Sequence, residues 1–465
     1  MQSKYKKLLN NSVIFAVGSF GSKLVNFFLL PLYTYTLSKS DYGTTDIVQT
    51  TVNLLVPIVS LSIFDGVLRF SMDGSKKKEQ VLTVGVMGTI IGSFIAVAVG
   101  LFLHFFNVSN SLYLVMMLVM QIFQSLFSQY IKGIGKVRTF AFNGVFLTFL
   151  TAVFSFISLL ILKLSMPGYF ISIILATFIS NIYLFCRERL YYSISFKNFN
   201  SSLFKEMLFF SIPIIPNTIA WWATNAINKY FILFFIGTSA NGLFAVANKI
   251  PSLLSTVNTI FFQSWQISAI EEFESKNNSK FYSTIFNAYF KIMFLGTSLI
   301  LFILKPLMTV IVSNSFYHSW KYVPFLLLTV MYSSFASFFD QYYVASKKTI
   351  GVFLTTIIGT IINIVLDFVL VPSLGIEGAG ISSATSFFAI WLVRIFDTRK
   401  FLITKIDYKV FVLNQILIFI QIALLFLLRG VLMYCSSMLV VFAVFFVNRD
   451  VMYLTMKTLL SRILK

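Results

Sequence analysis

Four lysines stand inside long apolar stretches of this sequence, where a charge is costly and therefore informative. Lys23 lies near the middle of the first stretch. Lys229 and Lys249 lie in the outer parts of the seventh and eighth, and Lys291 lies toward the inner end of the ninth. On insertion scales a central lysine costs about 2.5–3.5 kcal/mol and a leucine returns about 0.3–0.6 kcal/mol, so about five leucines offset one lysine. Such cations face a protein interior or a water-filled cavity. The competing reading is snorkelling, in which the amine reaches the headgroups. Snorkelling is the better reading for Lys291 and the poorer one for Lys23, whose amine is too deep.

Amides supplement the cations. Asn26, Gln49, Asn53, Asn225, Asn228, Asn248 and Gln263 fall in the first, second, seventh and eighth stretches. Buried amides more often join helices than bind a substrate. Their concentration beside Lys23, Lys229 and Lys249 nevertheless marks a candidate binding surface. A cavity with excess positive charge calls for an anionic ligand. Phosphate or pyrophosphate fits, because lysine acts on phosphate as a point charge. Asp65 and Arg69, four apart at the inner end of the second stretch, share a helix face and can pair with each other. Asp340 and Asp367 lie in the tenth and eleventh stretches. Either could be a proton or Na+ site, since carboxylates inside a membrane mark ion pathways.

Catalytic motifs are missing. The nearest string to a phosphate-binding loop, KGIGKVRT from Lys132, lacks the first glycine and the spacing that let backbone amides cradle phosphates. The chain is therefore not expected to hydrolyse ATP. His104 and His318 fall in outer loops without a Cys or carboxylate cluster, so no metal site is expected. Cys186 and Cys435 are far apart in or beside apolar spans, which argues against a disulfide framework. No cofactor, and no extramembrane domain large enough for glycosyl transfer, can be read.

The elements that must position these residues are membrane helices. Hydrophobic residues make up 58% of the 465 positions and charged residues 11%, against about 25% charged in a soluble domain. Phenylalanine alone contributes 55 residues, suited to lipid contact and to the interface. A bilayer crossing needs about 20 mostly apolar residues. Blocks of that size lie near 11–37, 45–70, 81–106, 111–130, 138–162 and 165–187. They resume near 208–236, 243–267, 284–304, 322–343, 350–371 and 377–397, and end near 410–428 and 431–448, about 14 in all. The first is too long for a cleaved signal peptide and reads as a retained span.

The net charge of +20 would suggest nucleic acid in a soluble protein. Here no soluble basic domain exists to bind it, and cytoplasmic loops account for the charge. With the N-terminus placed in the cytoplasm, 27 basic residues fall inside and five outside, with four more within spans. That asymmetry supports the count and puts both termini in the cytoplasm.

An internal repeat is visible. YGTTDIVQTTVNLL from Tyr42 resembles NGLFAVANKIPSLL from Asn241, with Gly43 against Gly242 at an offset of 199. QYIKGIGKV from Gln129 resembles QYYVASKKT from Gln341, and Gly168 faces Gly378. Parallel six-helix halves usually enclose a central cavity. The expected fold is all-α: two pseudo-symmetric six-helix bundles, 1–205 and 206–405, around a cavity, with two further helices and a cytoplasmic tail in 406–465.

The opening stretch NSVIFAVGSFGSKLVNFFLLPLYTYTLSKSDYGTTDIVQT resembles the start of Wzx-type polysaccharide flippases, of the multidrug/oligosaccharidyl-lipid/polysaccharide exporter superfamily. FDGVLRFSM (64–72) and NIVLDFVLVPSLGIEGAGISSATS (363–386) resemble further segments of that family. The resemblance covers essentially the whole chain. It implies alternating access that moves an undecaprenyl-pyrophosphate-linked oligosaccharide to the outer leaflet of the bacterial cytoplasmic membrane. The product would be capsule, exopolysaccharide or O-antigen. It also implies partners: membrane lipids, a polysaccharide polymerase and a chain-length regulator. In related flippases cationic residues in spans one, two and eight line the cavity, and Lys23, Arg69 and Lys249 fall at comparable places. Arg69 sits close to the cytoplasmic interface. Rival readings are a teichoic acid or peptidoglycan-precursor flippase, or a drug/cation antiporter of the same superfamily. The antiporter predicts an acidic cavity, opposite in sign to the one read here.

Overall fold

A chain this poor in charge can satisfy its backbone in hydrocarbon only by closing every N–H and C=O within its own segments, and it does so as helices. The computed structural model describes residues 21–450, apart from positions 22, 24, 74, 75, 196, 198, 274, 276, 347 and 349. The start of the first apolar stretch and the side chain of Gln263 lie outside the described residues. Among the described residues there is no strand.

The helices run in order from α1, described at residues 21, 23 and 25–36. Then come α2 (Lys39–Val59), α3 (Ile63–Ser71), α4 (Lys78–Phe105), α5 (Ser111–Gly133), α6 (Val137–Ser155) and α7 (Ser165–Arg187). A short α8 (Leu190–Ser193) precedes α9 (Ser201–Ser211), α10 (Ile215–Phe235), α11 (Thr238–Ala247) and α12 (Pro251–Glu272). The rest are α13 (Asn278–Ile311), α14 (Val323–Ala345), α15 (Ile350–Leu374), α16 (Ile376–Asp397), α17 (Tyr408–Leu427) and α18 (Gly430–Val447). Among the described residues, eleven helical spans are long and apolar enough to cross a membrane, counting α9–α10 as one. The pair α2–α3, bent by 61°, makes a twelfth. The chain is thus a multi-pass, all-α membrane protein.

Two breaks fall inside apolar blocks. Between α2 and α3 the chain passes Leu61 and Ser62, both at positive φ (50° and 49°). Pro57 has already removed one helical N–H. At the break Val56 O accepts from both the Ser60 amide (3.1 Å) and Ser60 Oγ (2.6 Å), and Pro57 O accepts from the Ser62 amide (2.8 Å). The second break, Asn248–Lys249–Ile250, separates α11 from α12, which starts at Pro251. Proline suits a helix start because its missing N–H would have no partner there.

The chain divides into two compact units. Unit one comprises Met1–Tyr230 and Gly237–Gly242. Its hydrophobic cores join α3, α4, α5 and α9 around Ile63, Val67, Leu82, Leu126 and Met207, and α2, α5 and α7 around Val52, Leu118, Ile122 and Phe170. Within it the segments matched at offset 199 face each other reciprocally. A Cβ on Gly43 would lie 2.0 Å from Thr238 O, and one on Gly242 would lie 2.0 Å from Lys39 O. Only glycine allows this approach. Asn241 Nδ2 seals it on Gly43 O (2.9 Å), and the Ser40 and Thr238 hydroxyls are 2.8 Å apart.

Unit two, Phe231–Ile236 with Leu243–Lys465, has an aromatic core. Phe286, Phe335, Phe338, Trp391 and Phe411 are buried in ring-to-ring contact, and Trp265 stacks on Phe338 at 4.3 Å. Helices α17 and α18 are joined to α13 by buried polar groups. Gln421 Nε2 donates to Ser298 O and to Ser437 Oγ, both at 3.0 Å. Interhelical polar contacts of this kind act as glue where lipid supplies no hydrophobic drive.

Candidate functional site

In unit one a polar face crosses an apolar setting. On α2, Asp46, Gln49, Thr50 and Asn53 recur at i, i+3, i+4 and i+7, the spacing of one helix face. Gln49 Nε2 donates to Asn53 Oδ1 at 3.2 Å. On α10, Trp222, Asn225 and Lys229 recur at i, i+3 and i+7. These two stripes meet. Lys229 Nζ lies 3.0 Å and 2.8 Å from the two Asp46 oxygens and 3.1 Å from Thr50 Oγ1. Trp222 Nε1 donates to Thr50 O at 3.0 Å, and the Tyr230 and Thr51 hydroxyls are 2.8 Å apart. Asn225 Nδ2 donates to Trp221 O in its own helix (2.7 Å), and Asn228 is buried.

Lys229 is thus neutralised by a carboxylate that sequence reasoning passed over. Asp46 sits near the start of the second apolar block. Its signal was the register it shares with Gln49 and Asn53. The pair is only part-exposed, with side chains at 18% and 19%. A double-mutant cycle with Asp46→Asn and Lys229→Gln, read by melting in detergent, is expected to give a coupling of about 1–3 kcal/mol. A coupling below about 0.5 kcal/mol would show that the contact carries no weight.

Also in unit one, Lys23 and Asn26 lie three apart on α1 with exposed side chains, and Arg69 is exposed in the last turn of α3. In unit two, Lys249 occupies the break between α11 and α12, half-buried. Beside it Asn248 Nδ2 donates to Phe244 O at 2.9 Å. A cation at an interrupted membrane helix matches the way transporters present ligand-binding groups.

The acidic candidates differ from each other. Asp340 on α14 is ion-paired with Arg394 Nη1 of α16 at 2.6 Å. Arg394 is 2% exposed and also donates to Ala336 O, Val352 O, Thr355 Oγ1 and Thr356 Oγ1. From sequence, Arg394 counts as one of the cytoplasmic cations; in the fold it is buried between three helices. Asp367 on α15 is fully buried. It lies one turn from Asn363, whose Nδ2 donates to Ser382 Oγ at 3.0 Å. Lys291 is paired with the exposed Asp450 at 2.5 Å.

A family model described as "Polysaccharide biosynthesis protein" matches residues 8–266, more than half of the chain. A protein of the Lsg locus of Haemophilus influenzae is 26% identical over 259 residues, 54% of this chain. The match spans 62% of that relative's length. Among solved structures, the lipid II flippase MurJ in an inward closed conformation aligns with a TM-score of 0.72 at 13% identity, covering 96% of this chain and 99% of that one. An inward-facing multidrug resistance MATE family transporter of the MOP superfamily aligns at 0.66 with 12% identity, covering 82% and 94%. A MATE transporter of Vibrio cholerae aligns at 0.58 with 12% identity, covering 86% and 97%. At these identities the likeness is one of fold.

Proposed function

Because this chain belongs to the polysaccharide biosynthesis protein family, we propose that it is a flippase. It moves a lipid-linked oligosaccharide from the cytoplasmic to the outer leaflet of a bacterial cytoplasmic membrane. The family match over residues 8–266 carries this reading. The MurJ and MATE folds support it as membrane-transport scaffolds. The lipid carrier is undecaprenyl pyrophosphate, and the anionic diphosphate is what Lys23 and Lys249 contact. Arg69, Asn26, Gln49, Asn53, Asn225 and Asn248 line the sugar path. Lys229, balanced by Asp46, serves it as a hydrogen-bonding group rather than as net charge. Both termini face the cytoplasm, and the polymerase and chain-length regulator act on the delivered unit.

Coupling to a proton or Na+ gradient is assigned to Asp340 and Asp367, both buried in helices; at Asp340 an ion would compete with Arg394 at 2.6 Å. A second reading, a peptidoglycan-precursor flippase, is favoured by the near-complete alignment with a lipid II flippase.

Deleting the gene separates the two. The proposal predicts a stranded lipid-linked oligosaccharide, raised several-fold, whose sugars match the missing surface polymer. Accumulation of a peptidoglycan precursor instead would favour the second reading. An unchanged lipid pool with normal surface polymer would overturn both.

A further inference from the structure

In unit two, at the end of α14–α16 that the basic-residue asymmetry assigns to the cytoplasm, the three helices leave a cleft of about 650 Å³. Its two ends differ in chemistry. At one end stand Lys348 and Lys400, whose ammonium groups lie 5.5 Å and 5.2 Å from the Phe401 ring. Asp397 is held there on both oxygens: Lys400 Nζ is 2.7 Å from Oδ1, and the Tyr343 hydroxyl donates to Oδ2 at 2.6 Å. Two lysines against one carboxylate leave the rim positive. Among the described residues, Lys348 has no carboxylate partner.

Away from this rim runs an apolar ridge. Ile350, Leu354 and Ile358 recur every four residues along α15, at 74%, 54% and 42% exposure. They span about 12 Å along the helix. Gly351 is what gives the cleft its depth. A Cβ there would meet the Tyr343 ring at 2.2 Å, so only glycine lets that ring lie flat against α15 with its hydroxyl on Asp397. The floor is Thr355, 4% exposed, whose Oγ1 accepts from Arg394 Nε at 2.9 Å.

A cationic rim at headgroup level, continued by an exposed aliphatic track into the hydrocarbon, complements an amphiphile with an anionic head. Basic pockets between helices on the cytoplasmic side hold anionic lipid headgroups by this chemistry. Lysines that merely snorkel would need neither a cleft nor an aligned ridge. We propose that this cleft is a binding site for an anionic phospholipid of the cytoplasmic leaflet. Its phosphate sits at Lys348 and Lys400, and one acyl chain lies along Ile350, Leu354 and Ile358. The occupant touches Thr355, and so backs the helix contact that holds Arg394.

The full chain, stripped of lipid in detergent and carrying Leu354→Trp as reporter, tests this. Phosphatidylglycerol and phosphatidylcholine with brominated acyl chains are titrated separately, and the quenching in excess of the parental chain is read. Half-quenching is expected at about fivefold less phosphatidylglycerol than phosphatidylcholine, the effect of one net basic residue at an anionic headgroup. Adding Lys348→Gln should abolish that preference and leave phosphatidylcholine unchanged. Equal quenching by the two lipids, or a preference that survives Lys348→Gln, would overturn the proposal. Ile358→Trp serves as a second reporter should Leu354→Trp not yield monodisperse protein, and is read against the same criteria.

Discussion

Arg394→Ala will destabilise the protein by about 3–5 kcal/mol, the cost of removing one partner from a buried ion pair. The guanidinium ties α16 to two other helices at once: to Asp340 and Ala336 on α14, and to Val352, Thr355 and Thr356 on α15. Its loss leaves the Asp340 carboxylate buried beside an empty volume. Asp340→Ala will cost less, because four oxygens still receive the guanidinium. Combining Asp340→Ala with Arg394→Ala should recover part of the loss, since no charge is then stranded. Melting of the detergent-solubilised protein, followed by size-exclusion chromatography, checks the ranking. An Arg394→Ala variant that melts with the parent would show that the pair is dispensable.

The second large effect is on transport. Lys23→Ala and Lys249→Ala are each expected to cut polysaccharide export below about a tenth of the parental level, while Lys→Arg retains part of it. The warrant is the cost of placing lysines in apolar blocks, joined for Lys249 by its position at a helix break. Arginine preserves the charge but replaces a compact ammonium with a planar fork, so rescue should be incomplete. Export is read in cells with the variant matched to parental abundance. Normal export from the alanine variants would remove these lysines from the substrate path.

The helices were legible because a crossing segment must be long and apolar, and the apolar blocks are mainly helix where they are described, interrupted at 60–62 and 248–250. The break at Asn248–Ile250 is announced by Pro251. The break at Leu61–Ser62 is not, since two non-glycine residues take up the positive φ and Pro57 stands a full turn earlier. The in-span lysines announced themselves by cost, but their partners did not. Asp46 lies 183 residues from Lys229, and Asp340 and Arg394 stand on different helices, separations over which a linear pattern carries no register. Gln421 was equally hidden, because an amide in an apolar helix has no local signature of its helix-joining role. The lipid cleft needed three helices to be placed before Lys348, Asp397 and the ridge at Ile350, Leu354 and Ile358 could be read together.

The central claim concerns the side of the membrane on which the lipid-linked oligosaccharide stands. In spheroplasts of a strain lacking the chain, a membrane-impermeant glycosidase added outside reports the outer-leaflet fraction of that lipid. The account predicts that the stranded lipid is protected, that the parental chain restores its cleavage, and that Lys249→Ala does not. Outer-leaflet cleavage at the parental level in the chain's absence would contradict it.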